Sequence, residues 1–176
     1  MRQEFLFHDQ KEYLEGNLQP VFFGSALNNF GVQELLDCFI QIAPAPQPKS
    51  TDKRIIQPDE SAFSGFVFKI HANMDPNHRD RLAFIKIVSG TFERNKPYYH
   101  VRQKKNLKFS SPNAFFAEKK QIVDISYPGD IVGLYDTGNL KIGDTISENN
   151  TGIYKGIPNF SPEIFKEVVN LDAMKS

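Results

Sequence analysis

Tyr127-Pro128-Gly129-Asp130-Ile131-Val132-Gly133-Leu134, followed after a polar gap by Lys141-Ile142-Gly143-Asp144-Thr145-Ile146, is the stretch that decides the fold. Two Gly-Asp pairs bracket Ile131 to Tyr135, an apolar run short enough to be a buried strand. Pro128 fixes φ and Gly129 permits a tight reversal, so the first pair reads as a turn delivering the chain into that strand. Asp136-Thr137-Gly138-Asn139 is turn chemistry again, and Ile142-Gly143-Asp144-Thr145 makes the next corner. Corners of this kind suit a small closed barrel, where strands bend sharply and no edge is left bare.

Upstream, from about Ile55, the periodicity is that of strands. Ser64 to His71 alternates, with Phe66, Phe68 and Ile70 opposite Gly65, Val67 and Lys69. Leu82 to Ser89 and Pro97 to Val101 follow as further strands, then Leu107 to Phe109, Ala114 to Phe116, Lys120 to Ile125 and Thr145 to Ser147. Short strands at this spacing, separated by turn signals, predict a mainly β fold, a closed barrel of six or seven strands. Sixteen Phe and no Trp fit an aromatic core built on sheets.

The first fifty residues read differently. Gln10 to Glu15 has the makings of a short helix ended by Gly16. Pro20-Val21-Phe22-Phe23 has strand character and stops at Gly24-Ser25-Ala26-Leu27. Val32, Leu35, Leu36, Phe39 and Ile40 then fall on one face of an amphipathic helix. Cys38 lies beside that stripe and reads as a small buried hydrophobe. Pro44-Ala45-Pro46-Gln47-Pro48 ends the helix as a stiff extended linker. At the far end, Ser161-Pro162-Glu163 has the form of a helix start, although residues 164–169 also read as a strand.

Composition narrows the function classes. The 21 basic and 21 acidic side chains balance, which argues against a general nucleic-acid coat but permits a local basic patch. A single cysteine excludes a disulfide framework and a cysteine-based metal site, and fits a reducing compartment. No apolar run approaches the ~20 residues needed to span a bilayer, and Met1-Arg2-Gln3-Glu4 is no signal peptide. The expectation is a cytoplasmic chain with no membrane partner.

The Pro-Gly-Asp-Ile-Val and Gly-Asp-Thr pair resembles the β-barrel second domain of the translational GTPases. Residues 66–84, Val88-Ser89-Gly90, Phe92-Glu93-Arg94, Asn113 to Ala117 and Phe160 to Glu163 bring the resemblance to the release factor 3 family, as distinct from elongation factor G. Within that resemblance, a strand entering Gly24-Ser25-Ala26-Leu27 is similar to the last guanine-specifying loop of a GTPase domain. Ser25, Ala26 and Leu27 would then belong to a nucleotide site in the whole protein, where the Ala26 N–H would meet the guanine O6.

The resemblance implies a ribosome-dependent GTPase that promotes departure of the codon-reading release factors in termination. Its cofactors would be GTP or GDP with Mg²⁺, and its partners the small-subunit ribosomal RNA and proteins together with those release factors. The sequence holds neither Gly-x-x-x-x-Gly-Lys-Ser/Thr nor Asn-Lys-x-Asp, so no hydrolysis and no cofactor are expected of this piece itself. On this reading residues 1–48 are the end of the GTPase domain with its proline linker. Residues 55–156 form the second domain, and residues 157–176 open a third, where the family implies a strand.

Two groups remain. Asp75, His78 and Asp80 share one loop, but His-x-Asp spacing is unspecific and a solvated turn is the better reading. The basic set Arg79, Arg81, Arg94, Lys96, Arg102, Lys104, Lys105 and Lys108 surrounds Phe92, Tyr98, Tyr99 and Phe109. Arg79, Arg81, Arg94, Lys104 and Lys105 are the candidates for ribosomal RNA phosphates, with the barrel Phe residues assigned to the core. Two alternatives stand: a free-standing β-barrel adaptor for RNA or protein, and a small enzyme using the Asp75–Asp80 loop.

Overall fold

The computed structural model describes residues 7–72, 81–116, 119–157, 164 and 166–167. Two helices open the chain, α1 (Phe7–Leu14) and α2 (Val32–Ile42). Among the described residues twelve strands follow: β1 (Lys49–Ser50), β2 (Ile55–Ile56), β3 (Ser64–Ala72), β4 (Arg81–Ser89), β5 (Phe92–Glu93) and β6 (Pro97–His100), then β7 (Lys105–Lys108), β8 (Asn113–Phe116), β9 (Lys119–Ile122), β10 (Ile125–Ser126), β11 (Ile131–Asp136) and β12 (Thr145–Ser147). Eight of them form one antiparallel sheet in the order β7-β6-β12-β3-β4-β11-β8-β9, and β1-β2 and β10-β5 form two short pairs.

The large sheet curls on itself. Phe109, just past one edge strand, shares a core with Val132 and Leu134 of β11 and with Val67, Ala83, Ile85, Ile87, Phe92, Tyr98 and Ile146. The β5–β10 pair bridges the seam between the sheet's two ends, since Ile125 is registered with Glu93 and the Asn95 N–H donates to Phe109 O at 3.0 Å. Phe63, Phe92 and Tyr98 pack ring on ring, with centroids 4.5 to 5.5 Å apart. The buried Tyr98 hydroxyl accepts from the Glu93 N–H at 2.6 Å, so the ring enters the core without an orphaned polar group.

The fold is the mainly β barrel expected, with more strands than the six or seven anticipated. Lys120 to Ile125 is two elements, β9 and β10, broken at Val123-Asp124. The alternation of β3 also fails, because a register shift falls between Val67 and Lys69. Val67 faces the barrel core, Phe66 joins a second cluster outside it with Ile56, Val88 and Tyr154, and Phe68 is exposed. The barrel Phe residues are therefore not uniformly core.

Both Gly-Asp corners are built alike. Gly129 (φ +97°) and Gly143 (φ +91°) take the left-handed conformation at the third position of their turns. Asp130 Oδ2 accepts the Tyr127 N–H at 2.8 Å, and Asp144 Oδ2 accepts the Lys141 N–H at 2.7 Å. In each case the carboxylate closes the turn that its own glycine opens.

The N-terminal segment departs from expectation. α2 forms where periodicity places it, yet Leu35, Leu36, Phe39 and Ile40 stay exposed and only Ile42 is buried. Cys38 is free and half-buried, not core. Val21 to Phe23 makes no strand, and Val21 and Phe23 are 77% and 86% exposed. Residues 43–48 run extended towards the barrel, where a cleft of about 240 Å³ is lined by Pro46, Pro48, Lys49, Phe66, Lys86 and Gly129. Residues 151–155 pair with residues 50–52, just beyond it, through a Thr51–Tyr154 bridge and the Lys155 N–H to Ser50 O. The question of helix or strand at residues 161–170 falls almost wholly outside the described residues.

Candidate nucleic-acid interface

Strand directions sort the basic residues into two groups. β3 and β4 are antiparallel with Ala72 opposite Arg81 at one end and Ser64 opposite Ser89 at the other. β11 runs against β4 and brings Asp136 beside Arg81. β12 runs against β3 and β6, so the turn after His100 meets the chain that enters Thr145. Arg81, the turn of residues 101–104 and the loop of residues 137–144 therefore share the first end of the barrel.

That loop is clamped at both feet. Asp136 accepts the Asn139 and Leu140 N–H groups at 2.8 and 3.0 Å, and Arg81 Nη2 approaches its Oδ2 at 3.2 Å. Asp144 receives Arg102 on both oxygens, Nε at 2.6 Å and Nη2 at 2.7 Å. Between the feet, Leu140 is 1% exposed and caps the core. Arg102 Nη2 and Gln103 Nε2 both donate to Asn139 O at 2.9 Å, Arg81 Nη2 to Leu140 O at 3.4 Å, and Lys105 Nζ to Asn139 Oδ1 at 3.0 Å. Lys104 stands exposed at φ +53° with no side-chain partner among the described residues.

Asp144 is the electrostatic centre of this end. Burial pushes its carboxyl pKa up, but hydrogen bonds from Arg102 and the Lys141 N–H, with the nearby His100, outweigh burial and leave it below its ordinary value. His100 is fully buried, and its Nε2 stands 2.9 Å from Asp144 Oδ2. Neither ring nitrogen makes a well-aligned hydrogen bond, so the contact acts through proximity. Arg102 is correspondingly raised by the same hydrogen bond.

Arg94 lies elsewhere. It follows β5 at the Ser64–Ser89 end, where Nε donates to Ser110 O at 2.6 Å and Nη1 pairs with Asp124 at 3.2 Å. Lys96 is beside it, paired with both Glu93 and Glu148 at 2.7 Å and raised in pKa by them. The structure thus brings Arg81, Lys104 and Lys105 together and separates Arg94 from them. Arg79 lies outside the described residues, as do Asp75, His78 and Asp80. Among the described residues no group of three or more His, Cys, Asp or Glu is placed to hold a metal ion.

Arg102, a background member of the basic set, proves central here. Its link to Asp144 crosses 42 positions of sequence. The repeated Gly-Asp corner is the one sequence signal that marks Asp144.

Ser25, Ala26 and Leu27 form a tight turn. The Ser25 N–H donates to Phe30 O at 2.9 Å and the Phe30 N–H returns to Ser25 O at 3.1 Å. Leu27 is fully exposed, and the Ala26 N–H has no acceptor among the described residues. Among the described residues no helix is long and apolar enough to cross a membrane.

Comparison with known proteins agrees with this architecture. Over 168 residues, 96% of the chain, the sequence is 50% identical to Peptide chain release factor 3 of Symbiobacterium thermophilum. The chain spans 32% of that protein's length. Residues 62–149, which contain β3 to β12, match the family described as Elongation factor G domain 2. The chain belongs to the elongation factor G domain 2 family of translation factors.

Proposed function

We propose that this chain is the middle of a ribosome-dependent GTPase that promotes departure of codon-reading release factors in termination. The observation that carries the reading is its similarity, over nearly its whole length, to Peptide chain release factor 3. Residues 1–48 would end the GTPase domain, residues 55–156 form the barrel, and residues 157–176 begin a third domain. The bare stripe on α2 supports this division, because a free-standing adaptor would cover it from within.

In the whole protein Ser25, Ala26 and Leu27 would form part of the guanine site, with the Ala26 N–H directed at the base. GTP would supply the energy there through its hydrolysis, and Mg²⁺ would neutralise phosphate charge; no Gly-x-x-x-x-Gly-Lys-Ser/Thr stretch occurs in the 176 residues, so the phosphates would be held by another part of the whole protein. The barrel docks on small-subunit ribosomal RNA through Arg81, Lys104 and Lys105, which meet phosphates as cations. The extended Pro44–Pro48 segment passes nucleotide state from one domain to the other.

The test is a reconstituted termination reaction with the full-length protein, timing departure of a labelled codon-reading release factor from the ribosome. The expected result is GTP-dependent acceleration that is reduced by Lys104→Ala with Lys105→Ala, and no GTP hydrolysis by the 176-residue chain alone. No acceleration by the full-length protein, or hydrolysis by the chain alone, would overturn the reading.

A further inference from the structure

Among the described residues the two ends of the barrel differ in charge. At the first end, among the described residues, Arg81, Arg102, Lys104, Lys105 and Lys141 face two carboxylates, Asp136 and Asp144, a surplus of three cations. Both carboxylates are buried, at 7% and 5% exposure, so the outward field is that of the cations. At the second end Arg94, Lys96 and Lys108 stand with three carboxylates, Asp124, Glu93 and Glu148, and leave no surplus. A polyanion is attracted by local surplus and not by the number of basic residues, so the second end offers it little.

The surplus at the first end is also held in place. Residues 101–104 form a turn with no ladder of its own. The Val101 N–H to Thr145 O bond fixes its start, and the Arg102–Asp144 fork fixes its middle. A guanidinium gripped on both carboxylate oxygens has one orientation, whereas an ammonium would pivot on one. With Arg102 turned inward, Lys104 at φ +53° projects away from the barrel, and Lys105 starts β7 on Asn139.

We infer that Asp144 is the positioning residue of a phosphate-docking turn, and that Arg102 to Lys105 with Arg81 form the RNA-facing end of the barrel while Arg94 and Lys96 do not. This rests on the ribosome-docking reading above and adds which residues dock and what orients them. The sign of one substitution separates positioning from charge alone. Asp144→Asn removes a negative charge beside a cationic patch, which by field alone tightens binding to a polyanion. Loss of the Arg102 fork loosens the turn and weakens it.

The experiment is an anisotropy titration of the 176-residue chain, dye-labelled at its N-terminus, with isolated small ribosomal subunits over a range of KCl concentrations. Lys104→Ala with Lys105→Ala should weaken binding about tenfold and flatten the salt slope by about 1.5, as two lost phosphate contacts require. Asp144→Asn and Arg102→Lys should each weaken it about threefold to tenfold, and Arg94→Ala should change it less than about twofold. If the lysine pair has no effect, or the wild-type chain does not bind, the docking reading itself fails. If the lysines matter but a folded Asp144→Asn binds as well as wild type or better, the positioning inference is overturned. Should Asp144→Asn melt, Arg102→Lys decides in its place, because it keeps the net charge and removes only the fork; unchanged binding there also overturns the inference. A loss with Arg94→Ala equal to that of the lysines would refute the assignment of ends.

Discussion

Tyr154 fastens the stretch after β12 to the barrel, and its hydroxyl gives that fastening a pH signature. The side chain is 4% exposed and packs on Phe66 with ring centroids 5.3 Å apart. Its Oη lies 2.6 Å from Ser64 Oγ, which lies 2.6 Å from Ser89 Oγ. Tyr154→Phe removes one hydroxyl and leaves Ser64 its bond to Ser89, a loss of about 1 kcal/mol at neutral pH. Tyr154→Ala empties the ring's site as well and should cost about 3–5 kcal/mol. Burial raises the phenol pKa from 10.0 to about 12, with the Ser64 hydrogen bond pulling the other way. A group raised in the folded state contributes fully below its unfolded pKa, and that contribution is lost as pH climbs through the folded value. With 10 unfolded and about 12 folded, the loss at pH 11 is about 1.4 kcal/mol, enough to cancel the hydroxyl's benefit. Urea unfolding followed by circular dichroism, run from about pH 8 to 11 on wild type and Tyr154→Phe, should show a stability gap that closes and then changes sign. A gap constant across that range would refute the argument, because the phenol would then ionise equally in both states.

Three further outcomes can be checked in the same way. Asp144 is held below its ordinary 3.8, so its contribution is complete above that value and is lost as pH falls through the lower folded one; acid titrations should show a shallower limb for Asp144→Asn, and an unchanged limb would remove Asp144 from the account. Gly90 sits at φ +63°, where an added Cβ would meet Ala62 C and Phe63 N at 2.4 Å, whereas at Gly143 (φ +91°) it would meet nothing within 4 Å. Gly143→Ala should therefore cost about 1–2 kcal/mol by conformation alone and Gly90→Ala distinctly more; equal shifts in the denaturant midpoint would contradict this. Leu36→Ser with Phe39→Ser, on side chains 53% and 57% exposed, should change stability by less than about 1 kcal/mol while reducing self-association in sedimentation. A loss above about 2 kcal/mol would mean that the stripe is packed within the chain.

The parts of the fold that were legible are those set by local chemistry. Pro128-Gly129-Asp130 and Gly143-Asp144 need a positive φ and a side-chain acceptor, both written in the residues, and both corners stand where they were read. The span of β12 and the position of α2 follow from periodicity in the same way. Periodicity does not say what covers an apolar face, which is why α2 forms with its stripe bare and Val21 to Phe23 finds no strand partner among the described residues. Nor does it anticipate a bulge, so one irregularity in β3 sent Phe66 and Phe68 to different environments. The basic set was visible residue by residue, but its division between two ends depends on strand direction. The partners of Arg102 and Arg94 lie 42 and 30 positions away.

If the first end docks on RNA as proposed, that division gives a physical reason for the buried carboxylates beneath it. Five cations gathered at one end of the barrel repel each other, and the repulsion is greatest where the barrel wall excludes water. Asp136 and Asp144 lower it from beneath, each taking an arginine at 2.6 to 3.2 Å, Asp136 also holding two backbone N–H groups of the loop and Asp144 one. A carboxylate facing inward costs the surface little of its outward field but sets the geometry of the loop; the same residue facing outward would cancel a cation, as Asp124 does for Arg94. The Gly-Asp corner at Gly129-Asp130 has the same backbone bonds and an exposed carboxylate with no arginine on it among the described residues, and so it remains a turn. Identical local chemistry serves two ends because only one of the two aspartates is buried beneath an arginine.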